Sequence, residues 1–262
     1  MEDYIKEIFI ETAGTLKNFI SKDERMLVTH LKLSGHINSK DFDVLDDMCT
    51  CWCDMDEDDN HIVNIDEPPF LKYLDLGDCL LLPDYPYLPE FTYYSKLEKF
   101  VSPRNLESTT DLHIFENSQF LKQVVLSDTL KEIGNSTFLN CVRLEEIDFP
   151  ESLERIGSFS FCHCESLKIV KIPANVSQIE CAAFAGCYSL EKFEVDVTNP
   201  YFSEVDGVIY NKDLTKLIAF PCGLKSNHYS IPEGTKVIVE GSFLAAQIES
   251  ISFPSTLEII EG

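Results

Sequence analysis

Basic residues are scarce in this 262-residue chain, with 21 Lys and Arg against 45 Asp and Glu and a formal charge of −24. That balance disfavours partners held by phosphate neutralisation, so no nucleic acid is expected. No run of 18 consecutive apolar residues is present, which removes membrane insertion through a helix. The start, MEDYIKEIFIETAG, lacks a basic segment followed by an apolar one, so the chain as written shows no export leader and its compartment stays open. Also missing are G-x-S-x-G, H-E-x-x-H, a P-loop and G-x-G-x-x-G, the spacings that assemble common hydrolytic, metal and nucleotide sites. The expectation is that the chain is not an enzyme and has no cofactor.

What is present is a period. From Ile133, IGNSTFLNCVRLEEIDFPESLER is followed at Ile156 by IGSFSFCHCESLKIVKIPANVSQ and at Ile179 by IECAAFAGCYSLEKFEVD, a step of 23 residues. A fixed step of this size marks one supersecondary unit stacked along an axis. Each unit ends in a short alternating segment that predicts a strand: Leu167, Val170 and Ile172 face in, Ile169 and Lys171 face out, and Pro173 ends the strand. Weaker copies at Leu71–Leu76, Leu97–Ser102, Leu121–Leu126 and Ile248–Phe253 extend the register over most of the chain. Burying about six apolar side chains gains a coil roughly 10 kcal/mol before ordering costs of similar size, so no coil is stable without neighbours.

Ten cysteines suggest a disulfide framework until their positions are read. Cys141, Cys164 and Cys187 each follow the repeat phenylalanine by three residues and are expected to stack as a buried, reduced ladder. Phe91, Phe115 and Phe243 take the slot of Phe138, while Tyr94, Ser118 and Ala246 replace the cysteine.

Two regions break the pattern. Residues 1–66 are read as a capping segment: a helix, or short strand plus helix, over about Asp3 to Ser21, then VTHLKLSG as a first strand and a second helix from Ser39 to about Met48, with Ser39 as its N-cap and Asp41 and Asp43 near its positive end. Residues 67–262 are the repeats, interrupted at about 196–230 by a β-hairpin with arms Asp206–Tyr210 and Thr215–Phe220, projecting from or extending the ladder. At the far end, Ile259-Ile260-Glu261-Gly262 stands where a further coil is expected, which fits truncation, a missing cap, or self-association through an uncovered end.

The repeats, with TNPYFSEVDGVIYNKDLTKLIAFPCG and the amino-terminal ETAGTLKNFI, VTHLKLSG and LKYLDLGD, resemble the BspA-type (treponemal-type) leucine-rich repeat proteins of gut Bacteroidales. The resemblance implies a curved, non-enzymatic solenoid, usually exported to the cell surface and associated with adhesion to host or matrix proteins. The expected architecture is an α/β-type repeat solenoid: a right-handed leucine-rich repeat coil with a parallel β-ladder, an N-terminal helical cap and a β-hairpin insertion.

Stacked strands align their outward residues into columns about 4.8 Å apart, a surface tunable without disturbing the core. The candidate binding residues are therefore Tyr73, Asp75, Lys99, Gln123, Glu146, Asp148, Ile169, Lys171, Lys192 and Glu194, with a protein ligand as partner. The competing reading is a merely solvated face. An intracellular scaffold or self-assembling subunit is the alternative function. A further one is metal binding or thiol chemistry at Cys49, Cys51, Cys53 and His61, although C-x-C-x-C with a distant histidine is not a zinc spacing and the acidic run from Asp41 to Glu67 reads as a solvated face. Cys162-His163-Cys164 is weighed as a dyad and set aside, because Cys164 is needed in the interior.

Overall fold

A computed structural model of the chain describes residues 3–49, 70–82, 88, 91, 95–109 and 113–262. The alternating segments form a front ladder. Strands Ile5–Ile10, His30–Ile37, Tyr73–Leu81, Lys99–Val101, Gln123–Val125 and Glu146–Asp148 lie side by side, in chain order, in one sheet. Every pairing between them is parallel. Ile169–Ile172 pairs with Lys192–Val195, and His228–Ser230 with Ser250–Ser252, also in parallel.

A second ladder runs behind, through Glu132–Ile133, Arg155–Ile156 and Gln178–Ile179. The turn carrying the phenylalanine supplies a third set of links: Phe115 N–H donates to Thr137 O (3.0 Å), Phe138 to Ser160 O (2.8 Å) and Phe161 to Ala183 O (2.8 Å). Each coil thus satisfies its backbone through the next one, which is why the units fold only in a stack.

The interior follows the predicted slots. Phe115, Phe138, Phe161 and Phe184 are buried and stack ring on ring at 5.1–5.3 Å, within 16° of parallel. Cys141, Cys164 and Cys187 are fully buried beside them. All eight cysteines among the described residues are free thiols. Two positions per coil take a left-handed backbone, Ser136, Phe159 and Ala182 at one and Asn117, Asn140, His163 and Gly186 at the other, all with φ between 54° and 70°.

At the amino end the reading of a short strand followed by helix is the nearer one. Ile5–Ile10 is a strand at the sheet edge, so VTHLKLSG supplies the second strand and a strand, not a helix, is the outermost element of the ladder. Behind it lie a 3₁₀ turn, Leu16–Asn18, and a single helical turn, Lys22–Arg25, where a longer helix was one of the two readings. The helix Ser39–Cys49 forms as predicted, but its cap is Asn38, whose Oδ1 accepts from Lys40 N–H at 3.1 Å. Asp41, fully buried, accepts from the backbone N–H of Gly14 (2.7 Å), Leu16 (2.9 Å) and Asn38 (3.1 Å), tying the helix start to the preceding loop.

The insertion contains the expected hairpin, Val208–Asn211 with Lys216–Ala219, plus an additional antiparallel strand, Phe202–Val205, joined to it by Asp206-Gly207. Both turn residues have positive φ, 52° and 83°, the type I′ pattern that Asp-Gly favours; Asp206 therefore belongs to the turn and not to an arm. Gly207 is required for a second reason, since a Cβ there would lie 2.8 Å from that of Lys192. Its carbonyl accepts from Phe193 N–H (2.9 Å), so this turn docks on the front ladder. Lys216–Ala219 then pairs in parallel with Val237–Ile238, and that strand with Ile259–Ile260, so the insertion joins the rear strands of the last coils in a sheet separate from the one ending at Gln178–Ile179. Cys222 and Phe220 resume the interior columns, with Phe220 stacked 4.6 Å from Phe243.

Candidate binding face

The front strands bury one face and present the other, as alternation requires. Tyr73, Lys99, Gln123 and Glu146 are successive register partners, and Asp75, Val101, Val125 and Asp148 form the column beside them. Further along, Ile169 lies beside Lys192 and Lys171 beside Glu194. All ten predicted residues therefore lie on one side of the front strands. Tyr73, Asp75, Lys99, Gln123 and Glu194 are half-buried, and the other five are exposed.

The face holds further residues besides these ten, and the alternation of IESISF also places Ser250 and Ser252 on it. His30 and Lys32 continue the columns beside Tyr73 and Asp75, a placement already present in the alternation of HLKLSG. His228 continues them beside Ser250, its Nδ1 2.9 Å from Ser250 Oγ and its Nε2 3.1 Å from Ser230 Oγ. The Ile231-Pro232 pair ends that strand as Ile172-Pro173 ends the earlier one and was the available signal.

Charge is distributed unevenly. At the amino-terminal end the polar groups satisfy one another: Lys32 Nζ lies 3.0 Å from Asp78 and 4.0 Å from Asp75, Tyr73 donates to Asp75 (3.3 Å), and the Lys99 ammonium sits 5.5 Å over the Tyr73 ring. The hydrogen bond to Asp78 raises the Lys32 pKa, and partial burial followed by the Asp75 charge raises that of Tyr73. Further along, Lys192 and Glu194 pair at 2.5 Å, holding the Lys192 pKa up and the Glu194 pKa down. Between these regions Glu146 and Asp148 flank two shallow depressions, about 240 Å³ on the Gln123 side and about 310 Å³ on the Ile169 side.

Residues 89–205 and 216–262, more than half of the chain, match the BspA type leucine rich repeat region in six copies. The chain belongs to the BspA-type leucine-rich repeat family. No curated protein matches it significantly. Its fold is similar to that of a leucine-rich repeat protein from Eubacterium ventriosum, with a TM-score of 0.55 and 15% identity over 91% of this chain and 51% of the other. It is likewise similar to the pneumococcal vaccine antigen PcpA, with a TM-score of 0.55 and 21% identity over 92% and 49%. This BspA-type chain spans about half the length of those two structures, and at such identities the likeness is one of fold.

The cysteine chemistry weighed from the sequence separates into two parts. Cys49 is buried at the end of its helix, and burial followed by the Asp46 charge raises its pKa, which opposes the thiolate that a metal or a nucleophilic step requires. Cys51, Cys53 and His61 lie outside the described residues. Among the described residues no group of three His, Cys, Asp or Glu is placed to hold an ion. Cys162 and Cys164 are buried with raised pKa values, and the His163 ring packs edge-to-face with that of Tyr188, centroids 6.0 Å apart.

Proposed function

We propose that this BspA-type protein is a non-enzymatic binding module whose ligand is another protein and whose contact surface is the front strand face. The observation that carries this reading is the register: successive coils place outward residues in columns from His30 to Glu146, on strands whose inward residues are buried. A rigid interior that leaves every second front residue free to vary suits recognition of an extended surface. The strong negative charge favours a partner with a basic surface and speeds its encounter at low ionic strength. Adhesion to a host or matrix protein, the family's usual association, is the specific form of the proposal.

The test compares capture of the same soluble proteins by the wild type, by a front variant, Lys171→Glu with Lys192→Glu, and by a rear variant, Lys131→Glu. A species held equally by the wild type and the rear variant but held more or less tightly by the front variant supports the face. Equal capture by all three contradicts it.

A further inference from the structure

The front ladder is interrupted at one place where the repeat itself is not. Glu146–Asp148 closes the six-stranded sheet, and Ile169–Ile172, the next coil's strand, belongs to a separate one. The rear ladder passes the same level without a break, through Glu132, Arg155 and Gln178, and so does the phenylalanine stack. The coils are thus joined by strand pairing at the back, while their front strands stay neighbours without pairing. Phe149 occupies the position held by Leu126 and Ile172 in the flanking coils, and its larger ring leans on Phe161 of the next coil, 5.6 Å away. The depression of about 310 Å³ lies between the two front strands, lined by Glu145, Glu146, Asp148, Lys168, Ile169 and Lys171, with Ile147 at its floor.

The repeat register would set Asp148 directly beside Lys171, as Lys32 stands beside Asp75. Across these unpaired strands the opposite charges do not form an ion pair. Neither Asp148 nor Glu145 on one wall, nor Lys168 or Lys171 on the other, takes part in an ion pair among the described residues. The slot therefore has an acidic wall, a basic wall and the exposed Ile169 side chain between them.

Resting on the front-face reading, we propose that this slot receives an extended segment of a partner protein in which a Lys or Arg and an acidic residue stand two positions apart. In an extended chain, side chains at i and i+2 point the same way and lie about 7 Å apart, more than one ladder step of about 4.8 Å. They can therefore meet an acidic and a basic wall carried by two neighbouring strands. The cation takes Glu146 and Asp148, and the carboxylate takes Lys168 and Lys171.

The experiment uses three labelled synthetic peptides, alternating Lys-Thr-Glu-Thr, uniform Lys-Thr and uniform Glu-Thr, titrated by fluorescence anisotropy at about 0.15 M salt, where distant charges are screened. The mixed peptide is expected to bind the wild type more tightly than either uniform one. Asp148→Lys alone and Lys171→Glu alone should each weaken it about fivefold or more, and the two together should restore it. The slot is overturned if the uniform Lys peptide binds as well as the mixed one, if the single reversals change nothing, or if no peptide binds. Should Lys32→Glu or Lys99→Glu abolish binding while the slot variants leave it intact, the front face stands and the slot falls. Should no front variant matter, both fall.

Discussion

The thiol of Cys164 donates a hydrogen bond to the carbonyl oxygen of Phe138, 3.3 Å away in the preceding coil. Cys187 does the same to Phe161 (3.1 Å) and Cys141 to Phe115 (3.0 Å). In the coil without a cysteine, the Ser118 hydroxyl takes over, donating to Phe91 O. From Ser118 to Cys187 the position thus holds a small side chain with one donor, and the thiol is the least polar group that meets both demands. The Phe138 carbonyl also accepts Cys141 N–H at 3.1 Å, so the thiol is its second donor.

Cys164→Ser is accordingly expected to lower stability by no more than about 1 kcal/mol, whereas Cys164→Val, which loses the donor and overfills the slot, should cost about 1–3 kcal/mol. Urea midpoints of the two variants decide this, and a valine variant more stable than the serine one would show that the hydrogen bond is immaterial.

The same thiols make stability depend on alkaline pH. An unburied thiol ionises near pH 9, while burial raises Cys141, Cys164 and Cys187 far above that and pushes Cys79 up to about 12. Between those limits the folded chain holds protons that the unfolded chain has lost. The contribution is complete below pH 9 and falls as pH rises, by up to about 1.4 kcal/mol per pH unit for each buried thiol. Denaturation midpoints between pH 8 and 11 should decline, and the triple serine variant at 141, 164 and 187 should decline less. Equal slopes would refute the assignment.

Asp41 carries a local load of a different kind. Its buried carboxylate accepts three backbone N–H groups, from Gly14, Leu16 and Asn38. Asp41→Asn replaces one acceptor oxygen by an amide that faces donors, with an expected loss of about 2–3 kcal/mol. Hydrogen exchange at Gly14 and Leu16 should accelerate in this variant before exchange in the repeats does; unchanged protection there would contradict the clamp.

Asn140 tests the left-handed column. It has φ 59° and its Nδ2 donates to Asn117 Oδ1 at 2.7 Å, while Gly186 holds the same position two coils on. Asn140→Val places a β-branched side chain in that conformation and should cost about 1–2 kcal/mol or more, whereas Asn140→Gly should cost less than about 1 kcal/mol. Thermal melts of the pair provide the check, with equal losses counting against the backbone explanation.

Much of this architecture could be read without coordinates because each coil asks the same question of its residues. A phenylalanine, a small donor and alternating aliphatics recur every 23 residues, and only a stack in register buries them all, so the front strands, the interior ladder and the ten outward candidates follow from spacing. The additional strand Phe202–Val205 was legible in principle through Asp206-Gly207, a turn signal that the alternation of DGVIY overshadowed. Asn38 displaced Ser39 as cap because the helix began one residue earlier than its first acidic turn suggested.

Other features depend on contacts between residues far apart in the chain. That Ile5–Ile10 lies as an edge strand beside His30–Ile37, that Cys222 rejoins the thiol column after the insertion, and that strand pairing in the front ladder lapses between Asp148 and Ile169 are all decided by which coil faces which. Local sequence determined the content of each coil, since side-chain volume and alternation act within a few residues. The tertiary structure alone decided how far neighbouring coils approach, because that distance is set by the combined packing of two coils, as where the Phe149 ring meets Phe161.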